Sequence, residues 1–201
     1  MKVTAVLVFK WNGAAAEPTL LGSASELSSF GFFQRGTVQE MLIFVSRTVG
    51  KKTQPGQRQT VENEDTGLLC HAHNRDGLAA TVFVDQEYPT RSAFCIVNKV
   101  LDDFVKANGE AWRAAQTDSE MGNAVCEAAV ANYQDPSQAD KLLKIQQELD
   151  ETKVVLHKTM DSMLERGEKL DNLVAKSSDL SMASQMFYRQ ARKQNQCCKM
   201  M

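Results

Sequence analysis

The sequence has no apolar run approaching the ~20 residues needed to cross a bilayer, and it has little excess charge of either sign. With 23 Lys and Arg against 25 Asp and Glu, the net charge is −2, which gives no indication of nucleic acid as a partner. The composition, 43% hydrophobic and 24% charged residues, is typical of a globular protein. The length of 201 residues allows one ordinary domain with an extension, or two small domains.

The sequence also lacks a constellation of residues suited to catalysis or metal binding. Three of its 5 cysteines, Cys70, Cys95 and Cys126, are irregularly spaced and are predicted to be buried thiols in a reducing compartment. Cys70 precedes His71 and His73, but alternation along a strand would place it on the opposite face from both histidines. No His–carboxylate pair is placed to activate Cys70 or Cys95 as a nucleophile. We therefore expect no enzyme, no metal site, no cofactor and no small-molecule substrate.

Residues 1–134 show the short apolar runs and turn motifs of a mixed α/β domain. Turn-forming pairs, such as Asn12-Gly13 and Asp76-Gly77, separate the runs. The runs are too short and too closely joined for a doubly wound parallel sheet. We therefore predict an α+β fold, in which a five-stranded antiparallel sheet carries helices in the order β-β-α-β-β-β-α-α. The predicted strands are Val3–Trp11, Leu20–Leu27, Arg58–Glu62, Leu68–Asn74 and Leu78–Asp85.

Helical periodicity indicates the helices of this domain. Thr37 and Glu40 fit a capping box that opens an amphipathic stretch running to about Val49. A second helix is predicted after Pro89, with Thr90 as its N-cap. A third, weaker one spans roughly residues 121–133.

After residue 137 the pattern changes to a heptad repeat. From residue 141 onward the sequence contains one glycine, Gly167, and no proline. Apolar residues recur at 3-4 spacing over seven repeats, which is typical of a coiled coil. Such a helix would be on the order of 80 Å long at 1.5 Å per residue, and its narrow stripe predicts external partners. The seam positions are Leu142, Ile145, Leu149, Thr152, Leu156, Thr159, Met163, Arg166, Leu170, Leu173, Ser177, Leu180, Ser184, Phe187, Ala191 and Gln194.

One charged residue interrupts this seam. Arg166 occupies a position where an apolar residue is expected, although Met163 and Leu170 on either side keep the frame. Burying a guanidinium is costly unless its donors are satisfied, and a lone polar seam residue can fix register and oligomer state. The alternative is an arginine that extends to solvent from a loose coil.

The C-terminal tail carries a prenylation pattern. Cys198-Lys199-Met200-Met201 fits the C-a-a-X motif with a final Met that favours farnesylation. The neighbouring Cys197 is placed for a second lipid, palmitoyl or prenyl, and stable anchoring takes two such signals. No acidic residue follows Asp179, so the tail is basic and suited to an anionic leaflet. We therefore predict a reversible membrane anchor in residues 195–201.

Several motifs together resemble the prenylated, synaptobrevin-like longin R-SNAREs of the YKT-six type. The segment 164–174, LERGEKLDNLV, is similar to the centre of an R-SNARE motif. Further similarities are SSFGFFQR at 28–35, EYPTR at 87–91, ELDETK at 148–153 and ARKQN at 191–195. Residues 106–120 match poorly, and Lys199 replaces the usual small or aliphatic residue.

The resemblance implies a profilin-like longin domain at 1–134, an R-SNARE coiled-coil motif at 138–194 and a lipidation tail at 195–201. The R-SNARE motif would zipper with three Q-SNARE helices, and Arg166 would form the central ionic layer with their three glutamines. An ATPase and its adaptor would take the complex apart. The lipids would let the protein partition between the cytosol and the cytoplasmic face of Golgi, ER, vesicle, endosomal or vacuolar membranes.

The resemblance further implies that the longin domain regulates by folding back onto the SNARE segment. Phe44 and the cluster Phe30, Phe32 and Phe33 are the candidate surfaces, although these aromatic side chains could equally be core. A coiled-coil tether or adaptor without fusogenic activity is the alternative function from the residues themselves.

Overall fold

The computed structural model describes residues 2–63, 66–145, 154–165 and 167–198, without the side chains of 140, 142–145 and 191–198. Its centre is a six-stranded sheet with the strand order β2-β1-β5-β4-β3-β6. All neighbouring pairs are antiparallel except β3 with β6, which are parallel. The strands are β1 Val3–Lys10, β2 Thr19–Ser25, β3 Arg58–Asn63, β4 Leu68–Arg75, β5 Leu78–Val84 and β6 Val154–His157.

The first five strands are the five predicted from the sequence, and the α+β fold is confirmed. The sixth strand was not predicted, because it comes from the heptad segment and includes the seam position Leu156. It lies at the edge beside β3, from Arg58 opposite Val154 to Val61 opposite His157.

Alternation along the strands divides the core into two layers. Ala5, Leu7 and Phe9 of β1 face one layer, while Val6 and Val8 face the other. The first layer is covered by α1 Arg35–Lys52, and the second by α2 Thr90–Asn108 and α3 Asn123–Asn132.

The same alternation separates Cys70 from the histidines, as predicted. Cys70 lies in the layer under α1. His71 is on the other side, where its ring meets that of Phe94 in α2 at a centroid distance of 5.2 Å. Its Nδ1 is 2.9 Å from the Thr60 hydroxyl oxygen.

The predicted caps were wrong for α1 and α2, although α2 does begin after Pro89 as predicted. A 3-10 turn at Phe32–Gln34 leads directly into α1, so Thr37 and Glu40 lie inside the helix and form no capping box. Helix α2 begins at Thr90 itself, with Pro89 in the N-cap position. The proline ring fixes φ at a value that suits the start of a helix.

The heptad segment, predicted as a coiled-coil helix with external partners, is not one continuous helix over the described residues of the free chain. The described residues form α4 Pro136–Ile145, strand β6, and then α5 Met160–Met163, α6 Leu170–Lys176 and α7 Met182–Cys198. Gly167 has φ +99, and Ser177 leaves α6 with an extended backbone. These breaks let the short elements of the segment pack against α1 and β3.

Candidate functional site

The candidate site is the contact between the first 134 residues and the heptad segment that lies against them. Met163, Leu170 and Leu180 are seam positions of that segment, and all three are at least 93% buried. They share one hydrophobic cluster with Val38, Met41, Phe44 and Val45 of α1. The stripe expected to bind partner helices is therefore partly buried within the chain itself.

Residues adjacent to the seam also take part in this contact. Met160, Val174 and Tyr188 are also buried in the cluster. The Tyr188 ring lies edge to face with Phe44, with a centroid distance of 6.3 Å. The sequence prediction missed these three residues. Each comes directly after a seam position, and the three are spaced 14 residues apart. A second apolar stripe, shifted by one residue, was the available signal.

Of the other seam positions with described side chains, some are exposed on the surface and some lie at the contact with the first 134 residues. Leu156 is 67% exposed on β6 and Phe187 is 40% exposed on α7. The Thr159 hydroxyl accepts a hydrogen bond from the Ser162 amide and caps α5. Leu173 packs partly against the cluster, and Ser184 is buried.

Further seam positions belong to helices whose side chains are not described, or lie outside the described residues. Leu142 and Ile145 are in α4, and Ala191 and Gln194 are in α7. Leu149, Thr152 and Arg166 lie outside the described residues. Cys197 and Cys198 end α7.

A buried arginine joins the two halves of the chain. The Arg47 guanidinium on α1 forms a two-pronged pair with Asp179, with Nε to Oδ2 at 2.8 Å and Nη2 to Oδ1 at 3.0 Å. The same group donates to Asp118 Oδ2 at 2.8 Å and to the Pro18 carbonyl oxygen. Two-pronged Arg–carboxylate pairs are among the stronger charged contacts. Arg47 thus ties the loops before β2 and α3 to the heptad segment.

Electrostatics favour the charged form of this arginine. Burial opposes it, but hydrogen bonds to Asp118 and Asp179 outweigh that penalty and raise the pKa of Arg47 above its ordinary value. Partial burial opposes ionisation of Asp118, but the hydrogen bonds from Arg47 and from the Leu20 amide, with the charge of Arg47, together lower its pKa.

Two further polar contacts lie at the ends of α1. Lys52 Nζ is 2.7 Å from Glu168 Oε2 and 3.0 Å from Glu165 Oε1. The hydrogen bond from Lys52 holds the pKa of Glu168 below its usual range. Near the other end, the Ser181 amide donates to Glu40 Oε2 at 2.7 Å. Between these ends a cavity of about 470 Å³ is lined by Phe44, Arg47 and Leu173, among others.

The aromatic cluster named from the sequence separates into two groups. Phe44 and Phe30 pack in or against the shared core. Phe32 and Phe33, by contrast, are 76% and 94% exposed. They are therefore neither core residues nor covered by the folded-back segment.

No helix in the part of the chain that the structure describes is long and apolar enough to span a membrane.

Comparison with known proteins assigns both halves of the chain. The Longin family model, a regulated-SNARE-like domain, matches residues 27–124, and the Synaptobrevin model matches residues 141–201. The chain is 56% identical to "VAMP-like protein YKT61" of Arabidopsis thaliana over 198 residues, covering 98% of both chains. It is 42% identical to "Synaptobrevin homolog YKT6" of Saccharomyces cerevisiae over 204 residues, covering both chains completely. With a longin domain, a synaptobrevin segment and full-length relatives of this identity, the chain belongs to the YKT6-type longin R-SNAREs, which are non-enzymatic proteins of vesicle trafficking that assemble with SNARE partners.

Proposed function

We propose that this R-SNARE drives membrane fusion by zippering its seam with three Q-SNARE helices, and that its longin domain competes for the same seam. The supporting observation is the burial of Met163, Leu170 and Leu180 against α1. One side chain cannot be buried in both places, so fold-back and zippering exclude each other. Partner helices must therefore offer more burial than the longin domain does.

Arg166 provides the register of the proposed bundle. It lies at the centre of the seam, with seven layers before it and eight after it, Leu142 and Gln194 being the outermost. Three partner glutamines can satisfy guanidinium donors that an apolar layer would leave unpaired. A wrong partner or a shifted register is thereby penalised. One polar layer also provides a weak point at which an adaptor and its ATPase can begin disassembly.

The membrane attachment that zippering requires is proposed to be covalent lipid. Cys198 fits a farnesyl acceptor, and Cys197 a palmitoyl or second prenyl acceptor. One chain gives marginal binding and two give stable binding. The protein would therefore exchange between the cytosol and the cytoplasmic face of Golgi, ER, vesicle, endosomal or vacuolar membranes.

The experiment that tests zippering counts the partner helices. The full-length protein, immunoprecipitated from native membranes, is expected to bring down three Q-type coiled-coil helices in equal amounts, measured by quantitative mass spectrometry. Arg166→Gln should reduce this recovery about tenfold or more, because a four-glutamine layer loses its charged hydrogen bonds. Lys169→Gln, a change of the same kind outside the seam, should leave it intact.

Two results would count against the proposal. Recovery of no Q-type helices would favour a coiled-coil tether instead. Equal recovery with Arg166→Gln would remove the assigned role of the ionic layer.

A further inference from the structure

Two adjacent phenylalanines project into solvent where α1 begins. Phe32 and Phe33 are 76% and 94% exposed in the 3-10 turn that leads into the helix. Their rings lie edge to face, with centroids 5.5 Å apart and an interplanar angle of 86°. Single exposed apolar residues are common on protein surfaces, but a contiguous pair of large aromatic ones marks an interaction surface.

The loop that carries this pair is braced by its neighbours. The Arg35 guanidinium donates to the carbonyl oxygens of Phe30 and Ser28, at 3.2 and 3.4 Å. The Ser28 hydroxyl donates to Glu26 Oε2 at 2.9 Å. Phe30 is packed against the core beneath. The loop is therefore held in a form that presents the two rings outward.

The shape and charge of this tip fit a lipid surface better than a protein groove. The rings protrude from the surface, and a bilayer needs no complementary pocket to accept them. The Arg35 guanidinium carbon lies 5.9 Å from the centroid of the Phe32 ring, which places a positive charge at the base of the pair. Within residues 26–35 the one carboxylate is that of Glu26, which already accepts hydrogen bonds from Ser28.

We propose that Phe32 and Phe33 insert into the interfacial region of an anionic membrane, with Arg35 at the level of the headgroups. This contact belongs to the longin domain and is separate from the lipids proposed for Cys197 and Cys198. Aromatic side chains are suited to the boundary between headgroups and acyl chains. A second contact at the start of α1 would orient the longin domain on the membrane.

Vesicle flotation tests the insertion without any contribution from covalent lipid. The full chain carrying Cys197→Ser and Cys198→Ser is mixed with phosphatidylcholine vesicles containing about 30% phosphatidylserine. Adding Phe32→Ser and Phe33→Ser should lower the partition coefficient about tenfold or more, because two apolar rings no longer leave water. The control is Met182→Ser with Met186→Ser, two residues that are 82% and 71% exposed on α7, and it should bind like the parent.

Insertion itself is read from a tryptophan placed at the tip. Phe33→Trp should be quenched by brominated lipids beyond the level of the parent, which already contains Trp11 and Trp112. The thermal unfolding midpoint should not change in the serine variants, because both side chains are exposed.

The proposal is overturned if the double phenylalanine variant floats like the parent, which would leave the pair to a protein partner. It is equally overturned if the methionine control loses as much binding, since attachment would then follow general hydrophobicity. Binding without added quenching of Phe33→Trp would exclude insertion.

Discussion

The rings of Phe44 and Tyr188 meet edge to face, 6.3 Å apart, where the longin domain touches the SNARE segment. Tyr188 is 2% exposed, whereas its neighbour Phe187, a seam position, is 40% exposed. Consecutive residues of a helix are about 100° apart around its axis, so the two rings lie on different faces of α7. The folded-back form buries Tyr188, whereas the proposed bundle would bury Phe187.

This arrangement predicts that single substitutions can weaken the folded-back form and the Q-SNARE complex independently. Tyr188→Ala should weaken fold-back by about 3 kcal/mol, or roughly a hundredfold in the closed-to-open ratio, because a large buried ring is lost. Assembly with Q-SNARE helices should remain, since Tyr188 is not a seam position. The closed fraction can be measured by fluorescence transfer between labels on the longin domain and on α7.

Phe187→Ala is the matched control, with the opposite expectation. It should weaken the Q-SNARE complex while changing the closed fraction little, because the ring is partly exposed in the folded-back form. If the two variants affect both measurements equally, the segment does not use different faces for its two states.

The Arg47–Asp179 pair predicts an electrostatic contribution to fold-back. Asp179→Asn should shift the closed-to-open equilibrium by about 2 kcal/mol, the usual value for a hydrogen-bonded charge that is removed from its partner. Both side chains are nearly buried, at 11% and 12% exposure. Arg47 keeps Asp118 and the Pro18 carbonyl, so the longin domain itself should remain folded.

Glu165→Gln provides the comparison for Asp179→Asn. Its carboxylate also contacts a lysine of α1 but is 74% exposed, and exposed pairs contribute about 1 kcal/mol or less. Equal effects of the two substitutions on the closed-to-open ratio, measured by the same fluorescence assay, would mean that the buried Arg47–Asp179 pair stabilises fold-back no more than an exposed pair does.

Buried His71 predicts that the longin domain loses stability in mild acid. Burial lowers the pKa of His71 to about 4, whereas in the unfolded chain it is near 6.5. The unfolded state therefore binds a proton that the folded state does not, and stability falls as the pH drops below about 6.5. The loss between about pH 7 and about pH 5 should be near 2 kcal/mol.

Urea unfolding at several pH values measures the slope of the free energy of unfolding against pH. His71→Asn should flatten it, whatever the substitution does to stability at neutral pH. Burial also lowers the pKa of His73, so a smaller slope of the same sign should remain. An unchanged slope in His71→Asn would assign the pH dependence to other groups.

The sequence predicted most of the longin domain because each of its elements has one set of neighbours. Short apolar runs separated by turn motifs located the five strands, and alternation along a strand predicted the split between Cys70 and His71. The helix start at Arg35 was missed, because the preceding 3-10 turn made the Thr37–Glu40 motif irrelevant.

The SNARE segment was predicted less well because its heptad pattern points to a helical bundle with partners, whereas in the free chain its residues pack against the longin domain. A heptad pattern specifies a helix for a bundle, and Leu156 fits that pattern. The same residue lies in a strand when β3 is the available neighbour. Arg47 was missed for another reason: its partners at 118 and 179 are distant in sequence and no periodicity connects them.

The parallel ladder between β3 and β6 predicts where hydrogen exchange will change on assembly. In the free protein, β6 covers one edge of β3, from Arg58 to Val61, while β4 covers the other. Zippering would convert 154–157 into helix and leave that edge unpaired. About half of the amides from Arg58 to Val61 should then lose protection, since alternate amides along a strand point to opposite sides. Strand β5, paired on both sides by β1 and β4, is the internal control and should not change.

Hydrogen exchange measured with and without Q-SNARE helices, on peptides covering each strand, tests whether β6 leaves β3. Protection that persists throughout β3 would mean that β6 stays in place, and fold-back and zippering would then not exclude each other at these residues.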